Sequence, residues 1–271
     1  MPRKKTIFFI ISSLVIFSFW LVMGYLLVQR NTQAAGRRIS LREMASFKPP
    51  VSWQWSGIYQ AGQPVGLSSI YISEDDREGV TFYKIRETDK LKINVAGFDA
   101  TTSLLLDATV DSFFTLQDFS VKASLNDNRF EASGYVSGQT LHLITEGEQG
   151  RQEQIYTLGK EIYLPLTFTP YLASYQFKVG EKYTLETFDP FGLGLNKAII
   201  KVLGKQEMEV LGKKSEVTKL EISMADIISY LYIDDQGLRV KEEIPDQNLE
   251  ERAIDQKEYY EINKLLNITS P

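Results

Sequence analysis

The sequence predicts a mainly β protein, in which an N-terminal transmembrane helix precedes one large antiparallel, curved sheet with the form of a half-barrel or sandwich. Three observations lead to this prediction. From residue 53 onward, apolar and polar residues alternate with a period of two, which is typical of strands with one buried face. Short turn sequences separate these alternating runs. Near the N-terminus, residues 7–28 form a stretch of 22 residues without a charged side chain.

The alternation is clearest in the middle of the chain, where one face of each predicted strand is apolar and the other is polar. Three runs keep their apolar residues on one parity, namely residues 104–110, 119–125 and 130–136. Residues 83–95 follow the same rule, except that Glu87 and Asp89 interrupt the apolar parity. Because strands with one wet face are usually antiparallel, about a dozen such runs between residues 53 and 243 predict an antiparallel sheet.

The predicted turns carry residues that tolerate a positive φ angle. Ala61-Gly62 and Leu211-Gly212 are two clear cases, and Asn or Asp stands in most of the others. Such residues adopt left-handed backbone conformations at low cost, so they permit short hairpins between antiparallel neighbours. Residues 161–175 break the alternation, and we expect them to form a short helix or an apolar lid across one end of the sheet.

Residues 7–28 predict the membrane-spanning helix. As an α-helix this segment is about 33 Å long, which is enough to cross a hydrocarbon core of about 30 Å. The alternative is a cleaved signal peptide, whose apolar run is shorter, about 7–15 residues, and is followed by a small-residue cleavage site. The best such site here, residues 32–34, is a poor match. We therefore expect a retained signal anchor and a single-pass membrane protein.

The positive charges around the span predict its orientation. Arg3, Lys4 and Lys5 precede the apolar run, whereas Arg30 alone lies close behind it. Because the cytoplasmic flanks of membrane helices are enriched in Lys and Arg, residues 1–6 are expected in the cytoplasm. The rest of the chain is then extracytoplasmic, and periplasmic in a Gram-negative cell.

The remaining chain divides into three predicted parts: a basic connector over residues 29–52, an extracytoplasmic β domain over residues 53–250, and a partly helical tail over residues 251–271. Residues 1–48 hold eight Lys or Arg and one acid, so the rest of a chain with net charge −5 carries −12. An acidic domain repels phosphate backbones, so no nucleic-acid partner is expected. The expected partner of residues 7–28 is the lipid bilayer.

The sequence contains little catalytic chemistry. It has no cysteine, which excludes thiolate nucleophiles and Cys-ligated metals. The single histidine, His142, lies in an alternating run and is interpreted as a strand residue on the polar face. Nucleophilic catalysis needs a nucleophile beside an oriented base, and no spacing in the chain marks such a pair. We therefore expect no catalytic residue, no metal site, no cofactor and no enzymatic activity.

Several segments resemble a β-rich extracytoplasmic domain of uncharacterised bacterial envelope proteins. They are residues 55–66, 188–190, 202–204, 209–213 and 232–243. In some of those proteins the domain precedes a transglutaminase-like cysteine protease domain. The resemblance implies an extracytoplasmic β domain here, but the catalytic cysteine of the neighbouring domain has no counterpart in this cysteine-free chain.

Two apolar parts of the β domain are candidate contact surfaces for a partner or a lipid. The first is an aromatic hairpin with Trp53, Trp55 and Tyr59. The second is a proline-broken segment whose expected contact residues are Leu164, Leu166, Phe168, Tyr171, Leu172 and Tyr175. The alternative for the hairpin is that its aromatic residues close the end of a β core, and the alternative for the second segment is that it caps the core of the sheet.

Two functions remain open at this point. The first is a membrane-anchored, non-catalytic binding or scaffold module, which presents the β domain to an envelope protein. The alternative is a periplasmic module that handles lipid or glycolipid on an apolar concave sheet face. A filled concave face favours the binding module, and an unfilled apolar cavity favours lipid handling.

Overall fold

A computed structural model of the chain describes residues 37–38, 52–95, 98–126, 128–147, 150–165, 178–190, 192–235 and 237–267. Within these residues, fifteen strands form one sheet. Strand β1 runs parallel to its single neighbour, and every other pairing in the sheet is antiparallel. The prediction of a mainly β, antiparallel sheet is therefore confirmed.

The strands have the following bounds: β1 Arg37–Arg38, β2 Ser52–Gln60, β3 Gln63–Arg77, β4 Val80–Val95, β5 Phe98–Asp111, β6 Leu116–Leu125, β7 Asn128–Ser137, β8 Thr140–Gly147, β9 Gly150–Thr157, β10 Lys182–Asp189, β11 Gly194–Val210, β12 Lys213–Met224, β13 Ile227–Ile233, β14 Arg239–Ile244 and β15 Leu249–Ile254. A 3-10 turn, Pro245–Gln247, links β14 to β15, and helix α1, Gln256–Leu266, follows β15.

The sheet is a meander that returns to its own beginning. From β2 to β9, and again from β10 to β15, each strand pairs with the next strand along the chain. The last strand, β15, then pairs with β2. The two halves of the chain are therefore joined edge to edge in one sheet, with β9 and the β10–β1 pair at its two ends.

Four β-bulges bend this sheet. Register shifts occur at Ile58/Tyr59, Thr109/Val110, Val202/Gly204 and Tyr232/Ile233. A bulge adds one residue to one strand of a pair, which bends the strand and increases the local twist. The bent sheet curls so that β3, β4 and β5 share one core with β10 to β13. We call the core side the inner face and the opposite side the outer face.

The inner face carries two adjoining apolar clusters. The first joins β3–β5 to β10–β13, and its fully covered members include Val110, Phe114, Tyr183, Ala198, Ile200 and Leu220. The second lies under β5–β8 and includes Leu116, Val121, Leu141, Leu143, Leu164 and Phe188. At about 25 cal/mol per Å² of apolar surface removed from water, these clusters are the main source of stability. The period-two pattern of the sequence is thus the pattern of inner-face residues.

The segment after β9 closes one end of the curled sheet. The amide of Leu116 in β6 donates to the carbonyl of Ile162 at 3.0 Å, and the amide of Tyr163 donates to the carbonyl of Glu186 in β10 at 3.2 Å. Residues 161–165 thus bridge β6 and β10 in an extended conformation, because strand edges on both sides accept or supply their hydrogen bonds. This part of the segment matches the lid rather than the helix of the two predicted alternatives, and residues 166–175 lie outside the described residues.

Helix α1 covers part of the outer face over β2 and β3. Its N-cap is Asp255, whose carboxylate accepts a hydrogen bond from the amide of Glu258 at 2.7 Å. Ile262 packs with Tyr59, Leu67 and Ile254 in a buried cluster. A helix was predicted here, but the predicted domain boundary after residue 250 falls inside β15, which pairs with β2 through Ile254.

No helix in the described part of the chain is long and apolar enough to cross a membrane. The predicted span, residues 7–28, lies outside the described residues, as does most of the connector over residues 29–52.

Removing β15 and α1 should destabilise the domain. We expect a fragment of residues 52–267 to unfold cooperatively with a β-type circular dichroism spectrum. A fragment of residues 53–250 should have a free energy of unfolding lower by several kcal/mol. It exposes Tyr59 and Leu67, and each buried apolar side chain contributes about 1.5–3 kcal/mol. Urea denaturation followed by circular dichroism measures the difference. Equal unfolding midpoints for the two fragments would show that the last strand and helix are dispensable.

Candidate functional site

A cluster of charged side chains interrupts the apolar inner face. Arg239 of β14 donates to Glu251 at 2.6 Å, to Glu242 at 3.3 Å and to Glu87 at 3.4 Å. The side chain of Arg239 is 10% exposed and that of Glu87 is 3% exposed. Asp89 lies two residues beyond Glu87 on the same side of β4. One guanidinium thus faces four carboxylates in a place largely closed to water.

The curvature of the sheet brings these groups together. Glu242 and Glu251 face each other across the β14–β15 pair. Glu87 lies on β4, which is four strands away from β14 along the sheet order. In a flat sheet four strand spacings amount to about 19 Å. The 3.4 Å contact between Arg239 and Glu87 therefore exists only because the inner face is strongly concave.

Burial changes the acidity of the cluster. It raises the pKa of Glu87 well above its usual range, and the neighbouring Asp89 carboxylate raises it further. Burial likewise raises the pKa of Asp89, and it raises that of Glu251 to about 7 against the attraction of Arg239. Burial alone lowers the pKa of Arg239, but the surrounding carboxylates outweigh it and keep the guanidinium charged.

The cluster is suited to bracing the sheet rather than to holding a metal. Oε2 of Glu87, Oδ1 of Asp89 and Nε of Arg239 have no hydrogen-bond partner within the described residues. Over those same residues, no group of three or more histidine or acidic side chains is arranged to hold a metal ion. A shared guanidinium among carboxylates from three strands instead ties β4, β14 and β15 across the interior.

The sequence carried a signal for this cluster that our prediction did not use. Glu87 and Asp89 are the two residues that interrupt the apolar parity of residues 83–95. They occupy inner-face positions, so their side chains are buried unless the strand slips by one residue. A pair of acids on a core parity indicates a buried cation, but the alternation alone does not identify Arg239, which lies 152 residues away along the chain.

The outer face holds a second arrangement, a depression of about 400 Å³ over β3–β6 that we call the outer groove. Its polar lining includes Ser73, Lys84, Arg86, Asp107, Asp118 and Ser120, with Tyr71 at one side. Arg86 binds Asp107 at 2.6 Å, Lys84 binds Asp75 at 3.1 Å, and the Thr109 hydroxyl donates to Asp118 at 2.9 Å. The groove is thus polar, and both of its cations are paired with carboxylates.

A stacked aromatic pair flanks the outer groove on each side. On the β2 side, Trp53 stacks on Tyr71 with ring centroids 4.6 Å apart. On the β8 side, Tyr135 stacks on His142 at 4.7 Å with nearly parallel rings. Trp53 is 52% exposed and Tyr135 is 46% exposed. His142 therefore lies on the polar face, as predicted, and it supports the ring of Tyr135.

The predicted aromatic hairpin does not form one surface. Trp53 is exposed beside the outer groove, whereas Trp55 packs against the cluster under helix α1. Tyr59 is buried in that cluster, and its hydroxyl donates to Glu258 at 3.0 Å. Trp55 and Tyr59 are therefore covered by a helix of the same chain. The sequence alone did not show that α1 folds back over this hairpin.

The second predicted surface is described in part. Leu164 is completely buried in the core cluster under β5–β8, so this residue packs the sheet and is not open to a partner. Its neighbours Ile162 and Tyr163 are buried as well. The remaining predicted contact residues lie outside the described residues, and they are Leu166, Phe168, Tyr171, Leu172 and Tyr175.

Removing the shared cation should destabilise the fold strongly. We expect Arg239→Ala to lower the free energy of unfolding by about 3–5 kcal/mol, because it leaves buried carboxylates without a counter-charge. The matched control is Lys205→Ala, which breaks an equally short 2.6 Å ion pair with Glu216 at an exposed position. That change should cost less than about 1 kcal/mol. Similar losses for both variants, measured by urea denaturation, would contradict a bracing role.

The raised pKa of Glu251 predicts a pH dependence with a definite sign. Between its ordinary value near 4.5 and its folded value near 7, the folded state retains a proton that the unfolded state has released. This contribution to stability is therefore complete below pH 4.5 and is lost as the pH rises to about 7. As the pH rises from 4.5 to 7, the free energy of unfolding of Glu251→Gln should therefore increase by about 3 kcal/mol relative to that of wild type.

The control for this pH profile is Glu243→Gln. Partial burial opposes the effect, but hydrogen bonds from Lys241 and Tyr232 lower the pKa of Glu243. Its contribution has the opposite sign, because it is present above pH 4.5 and is lost as the solution becomes more acidic. Parallel pH profiles for the two variants would show that burial of Glu251 does not control its ionisation.

Comparison with known proteins places the fold but not the family. No family model and no curated protein matches the chain. Among solved structures, it is similar to a beta-barrel-like protein of domain of unknown function DUF1849 from Brucella abortus, with 10% identity, 81% of this chain and 96% of that chain covered, and a TM-score of 0.52. A DUF1089 family protein from Pseudomonas aeruginosa matches with 10% identity, 66% and 90% coverage, and a TM-score of 0.38. The first of these likenesses shows that the chain has a β-barrel-like fold.

Proposed function

We propose that this chain is a non-catalytic binding module, held on the outer side of a bacterial membrane by residues 7–28, and that it binds through the outer face of its sheet. The single observation that carries this proposal is the occupied inner face. Because the two apolar clusters and the Arg239 cluster occupy the concave side in the part of the chain that the structure describes, the outer face is the broad surface that remains there for a partner.

The occupied interior argues against lipid handling, the alternative derived from the sequence. A lipid carrier needs an apolar space for acyl chains that its own core does not use. Here the inner-face leucines, such as Leu141 and Leu143, are fully covered by protein. A depression of about 430 Å³ does lie near the closed end of the sheet, but Asp111, Lys160 and Glu161 are among its lining residues. Charged groups at these positions do not suit an acyl chain.

The side-chain chemistry supports binding rather than catalysis. The chain has no cysteine, and its one histidine stacks on Tyr135 on an outer strand face. The acidic groups with raised pKa values surround Arg239 in the interior, where they stabilise the sheet. The outer groove contains ion pairs and hydroxyl groups, which are suited to hydrogen bonding with a ligand.

The absence of cysteine permits a direct test of the anchored topology. Two single-cysteine variants are treated with a membrane-impermeant maleimide in intact spheroplasts. They are Lys213→Cys, at the first residue of β12, and Thr6→Cys, before the span. We expect Lys213→Cys to be labelled at once and Thr6→Cys only after the membrane is permeabilised. The reverse pattern would place the β domain in the cytoplasm and refute the proposed location.

A lipid-transfer assay distinguishes the binding function from the lipid-handling function. Full-length protein is reconstituted in donor vesicles that contain a fluorescent phospholipid, and transfer to protein-free acceptor vesicles is followed. We expect transfer at the rate of vesicles without protein, because the inner face is occupied. A rate clearly above that background would overturn the non-lipid function, whatever the topology.

A further inference from the structure

The outer groove is organised in rows that run across the strands. In the register of the sheet, Trp53, Tyr71, Arg86, Asp107 and Ser120 face one another in succession from β2 to β6. A second row runs parallel to it, two residues along each strand, and consists of Ser73, Lys84, Thr109, Asp118, Tyr135 and His142. The first row has its aromatic rings at the β2–β3 end and the second row at the β7–β8 end. A ligand that crosses the strands diagonally from one row to the other therefore meets aromatic rings at both ends and polar groups between them.

Both tyrosines that border the outer groove stack on an aromatic ring of a neighbouring strand. Tyr71 stacks on Trp53, and its other cross-strand neighbour is Arg86. Tyr135 stacks on His142, and its other cross-strand neighbour is Asp118. Each tyrosine thus has its stacking partner on the strand away from the groove, which is β2 for Tyr71 and β8 for Tyr135. From β3 to β7 the sheet spans four strand spacings, about 19 Å, which is the length of a short oligomer rather than of a single small molecule.

The charges of the groove favour a neutral ligand. Its lining holds two cations, Lys84 and Arg86, and two carboxylates, Asp107 and Asp118. Arg86 and Lys84 are already neutralised by Asp107 and Asp75. A polyanion, such as a nucleic acid or a sulfated polymer, needs unpaired cations, which this surface lacks within the described residues. A paired guanidinium and carboxylate still have free donors and acceptors, which match the paired hydroxyl groups of a neutral ligand.

We propose that the outer groove binds a neutral linear glycan, with sugar rings stacked on Tyr71 and Tyr135 and hydroxyl groups hydrogen-bonded to Arg86 and Asp107. A pyranose ring has an apolar C–H face that packs on an aromatic ring and a rim of hydroxyl groups that form hydrogen bonds. Both requirements are met along the rows described above. This inference rests on the proposed binding function and names the chemical class of its ligand.

The test uses the full chain in lipid nanodiscs, with cellohexaose and chitohexaose as the probes and isothermal titration calorimetry as the measurement. We expect at least one of these β-1,4-linked hexamers to bind, with little dependence on salt because the ligand carries no charge. Tyr71→Leu with Tyr135→Leu should weaken binding by about 10- to 100-fold, since two ring contacts of about 0.5–1.5 kcal/mol each are lost.

Matched variants separate ring stacking from simple apolar contact and from misfolding. Tyr71→Phe with Tyr135→Phe keeps both ring faces and should retain most of the affinity. Tyr260→Leu, at a 61% exposed position on helix α1, should have no effect. Asp107→Asn keeps the side-chain size but removes the carboxylate charge, and it should weaken binding without changing the aromatic pairs.

Three outcomes would overturn the proposal that the outer groove binds a neutral glycan. These are no binding of either hexamer at millimolar concentration, equal binding by the double leucine and double phenylalanine variants, or binding of a heparin hexasaccharide in preference to the neutral probes. A protein crosslinked through Tyr135 while both hexamers fail would assign the groove to a protein partner instead. None of these results bears on the lipid-transfer or topology assays, so failure of this inference is distinguishable from failure of the proposed function.

Discussion

The rest of the structure depends on the strong curvature of the sheet, which the contact between Arg239 and Glu87 requires. These residues lie on strands four positions apart in the sheet, yet their charged atoms are 3.4 Å apart. A buried guanidinium without carboxylates around it costs several kcal/mol, so the cluster is stable only when the sheet is fully curled. Four β-bulges provide the bending, and the two apolar clusters provide the driving force for closure.

This curvature assigns different roles to the two faces of the sheet. In the described part of the chain the inner face contributes to stability, since its apolar residues cover one another and its carboxylates surround the single guanidinium of Arg239. Binding is consequently expected on the outer face, where the groove between the Trp53–Tyr71 and Tyr135–His142 pairs combines ring faces with hydrogen-bonding groups. A rigid strand framework suits such a surface, because cross-strand rows keep their side chains at fixed spacing when a ligand is absent.

Much of the sheet was predictable, and the candidate site was not. The alternation in residues 104–110 predicts both the strand and its inner face, because a one-residue slip would expose every apolar side chain. The sequence left open whether Tyr59 and Leu164 face a partner or the core, since an apolar side chain in a sequence has the same appearance in both cases. The outer groove was not predicted because its lining residues come from four hairpin-linked strands and alternate with core residues.

The sequence by itself determined the fold class, the antiparallel pairing and the polar character of one strand face, because these depend on the local period and on the residues in the turns. It also contained the anomaly of Glu87 and Asp89 on a core parity. Only the tertiary structure decided that Arg239 pairs with them, that helix α1 covers Tyr59, and that Tyr71 and Tyr135 flank one groove. Those relations depend on register summed over many strands and on the curl of the sheet, which are long-range properties that no local pattern encodes.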